Sequence, residues 1–230
     1  MFPFFFDWTF ILILPAFALS LWAQFKVKRT FAHYSEVPSR SGMTGAQVAR
    51  RILDSSGLNN IGVEAQEGSL TDHYHPKEKV IRLSEPVFGS HSLSAVAVAA
   101  HESGHALQDQ AGYAPMRLRS TFVPAATIGS NLAMPLFFIG FIFSKSMGWM
   151  MDVGILLFVG AVAFTLITLP VELNASARAI RVLTNGGYLA TDEIDDAKKV
   201  LSAAAWTYVA ATAVAVMSLL RLLILRQSRD

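Results

Sequence analysis

Apolar residues in this chain gather in long blocks rather than alternating with polar ones. Residues 8–25, 121–144, 153–171 and 201–220 contain no Asp, Glu, Lys, Arg or His. Each block has close to the ~20 residues with which a helix crosses ~30 Å of hydrocarbon, so all four are expected to be transmembrane helices. Aromatic residues cluster near several block ends (Phe4, Phe5, Phe6, Trp8, Trp22, Trp149), as they do where a membrane meets water, and this favours lipid over the interior of a soluble protein. In the second block Pro124, Asn131 and Pro135 predict a kinked helix that packs against protein as well as lipid.

Between the blocks the pattern becomes mixed. Thr44 and Gln47 predict a capping box that opens a helix with Ala46, Val48, Ala49, Ile52 and Leu53 as its apolar residues, stopped at Gly57. In residues 61–83, Lys79-Val80-Ile81-Arg82-Leu83 has strand composition, and His75-Pro76-Lys77-Glu78 reads as the turn between two strands. An edge of such a sheet can pair an extended peptide. Residues 92–108 read as a helix, and its small and β-branched start, Ala95 to Ala99, suits tight packing inside protein. After the third block, residues 172–179 predict a further helix with Ala175, Ser176 and Ala179 on the face that carries Glu172, small enough to admit another helix closely. It stops at Asn185-Gly186-Gly187, and Thr191-Asp192-Glu193 opens the next.

Charge sets the expected orientation. Residues 26–120 hold 11 of the 19 Lys and Arg, and residues 172–200 hold 4 more, whereas the loop between the second and third blocks has Lys145 alone. Cytoplasmic loops carry the excess of positive charge, so both rich segments are placed in the cytoplasm, although Arg221, Arg226 and Arg229 after the last block run against the rule. The N-terminal block lacks a basic leader and has Asp7 before it, so it reads as a retained span and not a cleaved signal. The expected divisions are a first transmembrane helix (1–25), a cytoplasmic part (26–120), a transmembrane hairpin (121–171), cytoplasmic helices (172–200) and a last transmembrane helix with its tail (201–230).

Composition agrees: 53% of residues are hydrophobic and 16% charged, too apolar for an ordinary soluble domain. The formal charge of +2 and the lack of a basic, aromatic-interleaved patch give no reason to expect nucleic acid. There is no cysteine, hence no thiolate ligand and no disulfide.

The chemistry concentrates in His101-Glu102-Ser103-Gly104-His105. Two histidines four apart lie on one helical face, ~5.4 Å along the axis, so both imidazoles can reach one cation, and the adjoining glutamate is placed to act as a general base toward water. A catalytic zinc needs a third protein ligand and an open position. In the extended H-E-x-x-H-x-x-G-x-x-H pattern the ligand follows a Gly turn, but here Gln108 stands at the Gly position and Ala111 at the ligand position, so that class is excluded. Asp109 lies ~12 Å along a straight helix from His101, too far for ligand bonds of ~2 Å. Glu172 starts after the hairpin has returned to the side of the motif, whereas Asp152 is stranded across the membrane, so Glu172 is the expected third ligand. A carboxylate at the end of an apolar span is costly without a partner, and a cation would supply one. His73 and His75 share one face of their strand and are weaker candidates for metal or substrate contact, with Asp72 placed to orient an imidazole.

The motif, together with Leu70-Thr71-Asp72-His73-Tyr74, Arg82-Leu83-Ser84 and Glu172-Leu173-Asn174-Ala175-Ser176, resembles the YugP-type membrane zinc metallopeptidases of bacteria, and more distantly the HtpX-type gluzincins. The resemblance covers essentially the whole chain. It implies Zn2+ on His101, His105 and Glu172, with Glu102 as catalytic base. HtpX-type proteins carry an aspartate four residues after the third ligand; here that position is Ser176, so Asn174 or another group would have to orient the histidine. Arg178, one turn on from Asn174, joins His73 and Asn174 as a candidate for substrate or ligand-orienting contact.

The fold expected is thus an α-helical integral membrane protein with about four transmembrane helices and a small α+β, zincin-like cytoplasmic domain. The function expected is a zinc endopeptidase of the cell (inner) membrane, acting at the cytoplasmic face on a protein or peptide substrate, with the resemblance to HtpX suggesting membrane-protein quality control. The partners are then the substrate and the lipid bilayer; a membrane-protein partner or a second copy of the chain stays open. An intramembrane protease fits less well, because Glu102 and Asp109 interrupt a run too short to span. A non-catalytic scaffold with a structural zinc is the remaining alternative; it would need a fourth protein ligand such as His73.

Overall fold

The computed structural model describes residues 8–228; Phe4, Phe5, Phe6, Asp7 and Arg229 lie outside the described residues. A short 3-10 turn, Trp8–Leu12, leads into α1 (Leu14–Ser35) and α2 (Gly45–Ser55). Three strands follow, β1 (Gly62–Gln66), β2 (His73–His75) and β3 (Val80–Ser84), and then α3 (Glu85–Phe88) and the motif helix α4 (Leu93–Gln110). The rest is helical: α5 (Ala114–Ile142), α6 (Ser144–Met147), α7 (Trp149–Asn185) and α8 (Thr191–Gln227). Of these, α5, α7 and α8 are long and apolar enough to cross a membrane.

The chain forms two compact units. One comprises the described parts of Met1–Gln24, Arg117–Pro170 and Thr207–Asp230, the other Phe25–Met116 and Val171–Trp206.

In the second unit Thr44 caps α2 as its sequence predicts, its side chain accepting the Gln47 N–H (3.2 Å) while the Gln47 side chain accepts the Thr44 N–H (3.0 Å). The sheet order is β1-β3-β2, with β1 parallel to β3 and β2 antiparallel to it, Tyr74 opposite Ile81. The turn joining β2 to β3 lies where His75-Pro76-Lys77-Glu78 predicts it. Helix α4 is buried on nearly all sides, which explains its Ala and Val composition: Val96, Ala97 and Ala100 pack with Val48, Ile52 and Leu183, and Ala95, Ala99 and Ala106 with Leu53, Ile81 and Leu83. Each fully buried Leu or Ile in such a core contributes roughly 1.5–3 kcal/mol.

The other unit holds the core Phe137, Phe141, Met151, Ile155, Leu222 and Leu225. Here two of the arginines that run against the charge rule find partners: Arg226 pairs with Asp152 (2.7 Å), and Arg221 donates to Thr9 Oγ1 (3.1 Å) and lies over the Phe10 ring. Paired charges at helix ends are much cheaper than isolated ones.

Three expectations change. The helices expected at residues 172 and 191 are not separate from the neighbouring apolar blocks. Helix α7 runs through Pro170 without a break, and α8 is continuous from Thr191 into residues 201–220. A proline removes one helical N–H, which a packed membrane helix tolerates, so the composition change at residue 170 marks a change of surroundings and not an end. The first apolar block is divided between the 3-10 turn and α1, whose continuation to Ser35 brings in Lys26, Lys28 and Arg29. Leu14, Phe17, Leu21, Trp22 and Phe25 are all exposed along it.

Candidate metal centre

Helix α4 brings His101 and His105 to one face because they are four residues apart, and their rings stand 4.8 Å between centroids, nearly perpendicular. The second part of the centre comes from the C-terminal portion of α7. Gly104, between the two histidines, sits against Ala175: a Cβ there would meet the Ala175 carbonyl oxygen at 2.5 Å. This backbone-to-backbone approach delivers Glu172. Its Oε2 lies 3.2 Å from His101 Nε2 and 3.4 Å from His105 Nε2. The three ligand atoms all fall within 4.8 Å of one another, and Glu172 and His105 are buried.

Hydrogen bonds behind the rings set which nitrogen faces the centre. Arg178 Nε can only donate, and it donates to Asn174 Oδ1 (2.8 Å). Asn174 Oδ1 also accepts from Gln108 Nε2 (3.0 Å), which donates in addition to the Val171 carbonyl (2.8 Å). The amide of the fully buried Gln108 is therefore oriented, and its Oε1, 3.0 Å from His105 Nδ1, is left to accept. The proton of a neutral His105 thus belongs on Nδ1, and Nε2 presents a lone pair toward the Glu172 carboxylate. Two electron-rich atoms facing each other at 3.4 Å suit a cation between them. His101 is held in parallel, with its Nδ1 3.1 Å from Ser176 Oγ. Two imidazole nitrogens and one carboxylate oxygen form a donor set suited to zinc.

Glu102 is buried beside this group. Burial pushes its carboxyl up to about 7; the charges of Glu172 and Asp72 add to the rise, while His101 and the Tyr74 backbone N–H oppose it. The Tyr74 amide belongs to β2, an edge strand, so Glu102 lies between the motif helix and that edge.

The secondary candidates divide. Asn174 and Arg178 enter the chain of bonds that reaches His105. His73 does not join the cluster: its Nδ1 lies 2.9 Å from the Thr71 carbonyl oxygen. Asp72 does not orient that ring either, because its carboxylate accepts from the Ser84 N–H (2.8 Å) and the Ser84 hydroxyl (3.0 Å), at the start of α3. Asp109 accepts from Tyr74 Oη (2.7 Å) and Lys79 Nζ (2.6 Å). The sequence marks Gln108 only as the residue at the motif's Gly position; its place three residues beyond His105 is the sign of a supporting role.

Comparison with known proteins agrees with this geometry. The chain is 49% identical over 220 residues, 95% of its length and 97% of the relative's, to the "Putative membrane protease YugP" of Bacillus subtilis (strain 168). No solved structure matches it. Residues 9–227 match the family described as "Putative neutral zinc metallopeptidase", to which the chain therefore belongs.

Proposed function

We propose that the chain is an integral membrane zinc endopeptidase of the gluzincin type, with Glu102 as its general base. The observation that carries this reading is the meeting of His101, His105 and Glu172 beside a buried glutamate whose proton affinity suits exchange near neutral pH. Zinc, when bound, supplies Lewis acidity that polarises a carbonyl and acidifies water. His101, His105 and Glu172 would hold it, while Ser176 and Gln108 fix the two rings. Glu102 takes the proton of an attacking water on its carboxylate and passes it to the departing amine nitrogen. The outer edge of β2, whose Tyr74 N–H meets Glu102, lies where an extended peptide would be aligned beside that carboxylate by backbone hydrogen bonds.

In the proposed topology the first apolar block, with the apolar part of α1, is a fourth span, residues 26–120 and 172–200 face the cytoplasm, and the chain resides in the cell membrane. Substrates are proteins or peptides presented at the inner surface, in keeping with membrane-protein quality control.

The test uses Glu102→Gln in purified full-length protein. It should keep about one zinc per chain and lose cleavage of an unfolded protein such as casein by at least about a hundredfold. Cleavage that survives the substitution removes Glu102 from its role. Because the chain has no cysteine, single cysteines at Lys77 and Ser146 report sidedness. In sealed cells a membrane-impermeant thiol reagent should label the Ser146→Cys variant and leave the Lys77→Cys variant unlabelled; the reverse pattern overturns the orientation.

A further inference from the structure

Away from the metal centre, the same unit contains a basic cleft of about 600 Å³ between α1 and α8. Lys26 and Arg29 line it from α1, Lys198 and Lys199 from α8, and the hydroxyls of Thr30 and Ser202 add polar walls. Its size lies in the range of small-ligand sites. Two carboxylates stand close by: Asp195 accepts from Lys198 Nζ (2.7 Å) and Asp196 from Lys199 Nζ (2.8 Å), with Tyr34 Oη also donating to Asp196 (2.9 Å). Four cations against two carboxylates leave the cleft positive. An ammonium has three N–H donors, so a lysine that gives one to a carboxylate retains others for a second anion.

The position of the cleft along the chain narrows the ligand. Lys26 follows directly on the apolar block 8–25, and Lys199 precedes the block 201–220 by two residues. The cations therefore mark the ends of two apolar stretches, the level at which phosphates lie when such stretches are in a bilayer. Phe25 is 65% exposed, Trp206 is 37% exposed, and Lys26 Nζ lies 5.8 Å from the centroid of the Trp206 ring. This places the Trp206 ring beside one cationic group, and Phe25 directly precedes Lys26 in α1, so aromatic surface for acyl chains borders cationic groups for a headgroup.

We propose that this cleft binds the phosphate headgroup of an anionic phospholipid, with Arg29 and the lysines on the phosphate oxygens and Phe25 and Trp206 against the start of the acyl chains. Phosphate binding by Arg is bidentate and by Lys a point-charge contact, so the site has both kinds of recognition. The net positive charge favours phosphatidylglycerol over phosphatidylcholine, whose choline group cancels the phosphate charge.

The experiment titrates full-length protein in detergent with phosphatidylglycerol, phosphatidylcholine or inorganic phosphate, following lipid retention by native mass spectrometry. Phosphatidylglycerol should bind at least about tenfold tighter than phosphatidylcholine, and each cleft charge removed should weaken it about fivefold. The double variant Arg29→Gln/Lys198→Gln should thus lose about 25-fold, with phosphatidylcholine binding unchanged and Lys77→Gln, on the β2–β3 turn, without effect. Should the double variant fail to fold, Arg29→Gln and Lys198→Gln are measured singly. Equal binding of the two lipids, unchanged phosphatidylglycerol affinity in the variants, or inorganic phosphate binding as tightly as the lipid would each overturn the proposal.

Discussion

Gly104 and Ala175 stand so close that a Cβ on the first would lie 2.5 Å from the carbonyl oxygen of the second. Neither partner in that contact can yield alone, because one is the main chain of α4 and the other the main chain of α7. Intrinsic helix propensity favours Gly104→Ala by about 1 kcal/mol, but metal ligands tolerate displacements of only about 0.2 Å and the helices would have to separate by more. Sterics should win. The variant is expected to keep its helical circular dichroism and to lose zinc to a chelator at least about tenfold more readily than the parent.

Gln108→Ala removes the acceptor that keeps the proton of His105 on Nδ1. Loss of such a supporting group typically lowers metal affinity by about 10–100-fold, and that range is expected in a competition titration against a chromogenic chelator. Arg178→Ala acts two hydrogen bonds further back, through Asn174, and should lower affinity less than Gln108→Ala does. An equal or larger effect of Arg178→Ala would break the proposed order of the chain.

Burial raises the Glu102 carboxyl from 4.5 to about 7, which gives the zinc-stripped protein a pH dependence of known sign. The fold favours the protonated acid, so this contribution is fully present below about pH 4.5 and is lost as pH rises through about 7. The gap corresponds to about 3 kcal/mol. The melting temperature of stripped protein should fall between about pH 5 and 8 more steeply for the parent than for Glu102→Gln, which has no such proton to lose. Parallel slopes would contradict this.

Asp109→Ala separates stability from metal binding. Tyr74 is buried, and its hydroxyl donates to Asp109; leaving that hydroxyl without its acceptor costs about 1–3 kcal/mol. The exposed Lys79 contact adds little. The expected outcome is a lower melting temperature with zinc content unchanged.

How much of this was legible in the sequence varied with the range of the interaction. The capping box at Thr44, the turn after His75 and the helical spacing of His101 and His105 depend on residues within four positions of one another, and local rules found them. The pairing of Glu172 with the motif was reached by following the apolar blocks across the membrane and back. The further helix expected from residue 172 is instead a continuation of α7, because proline and a change in polarity look the same in sequence whether a helix ends or passes into new surroundings. Asp72 was assigned to its neighbour His73, but the folded chain brings Ser84 closer.

The sequence by itself determined the apolar blocks and the motif, and led to Glu172 as the carboxylate expected beside His101 and His105, since each follows from periodicity, short spacing or the order of the blocks. Only the tertiary structure decided that Gln108 and Ser176 hold the two imidazoles, that Asn174 and Arg178 act through Gln108, and that Lys26 and Arg29 meet Lys198 and Lys199. Those contacts join residues 66 to more than 150 positions apart or depend on side-chain directions set by packing, and no local preference encodes them.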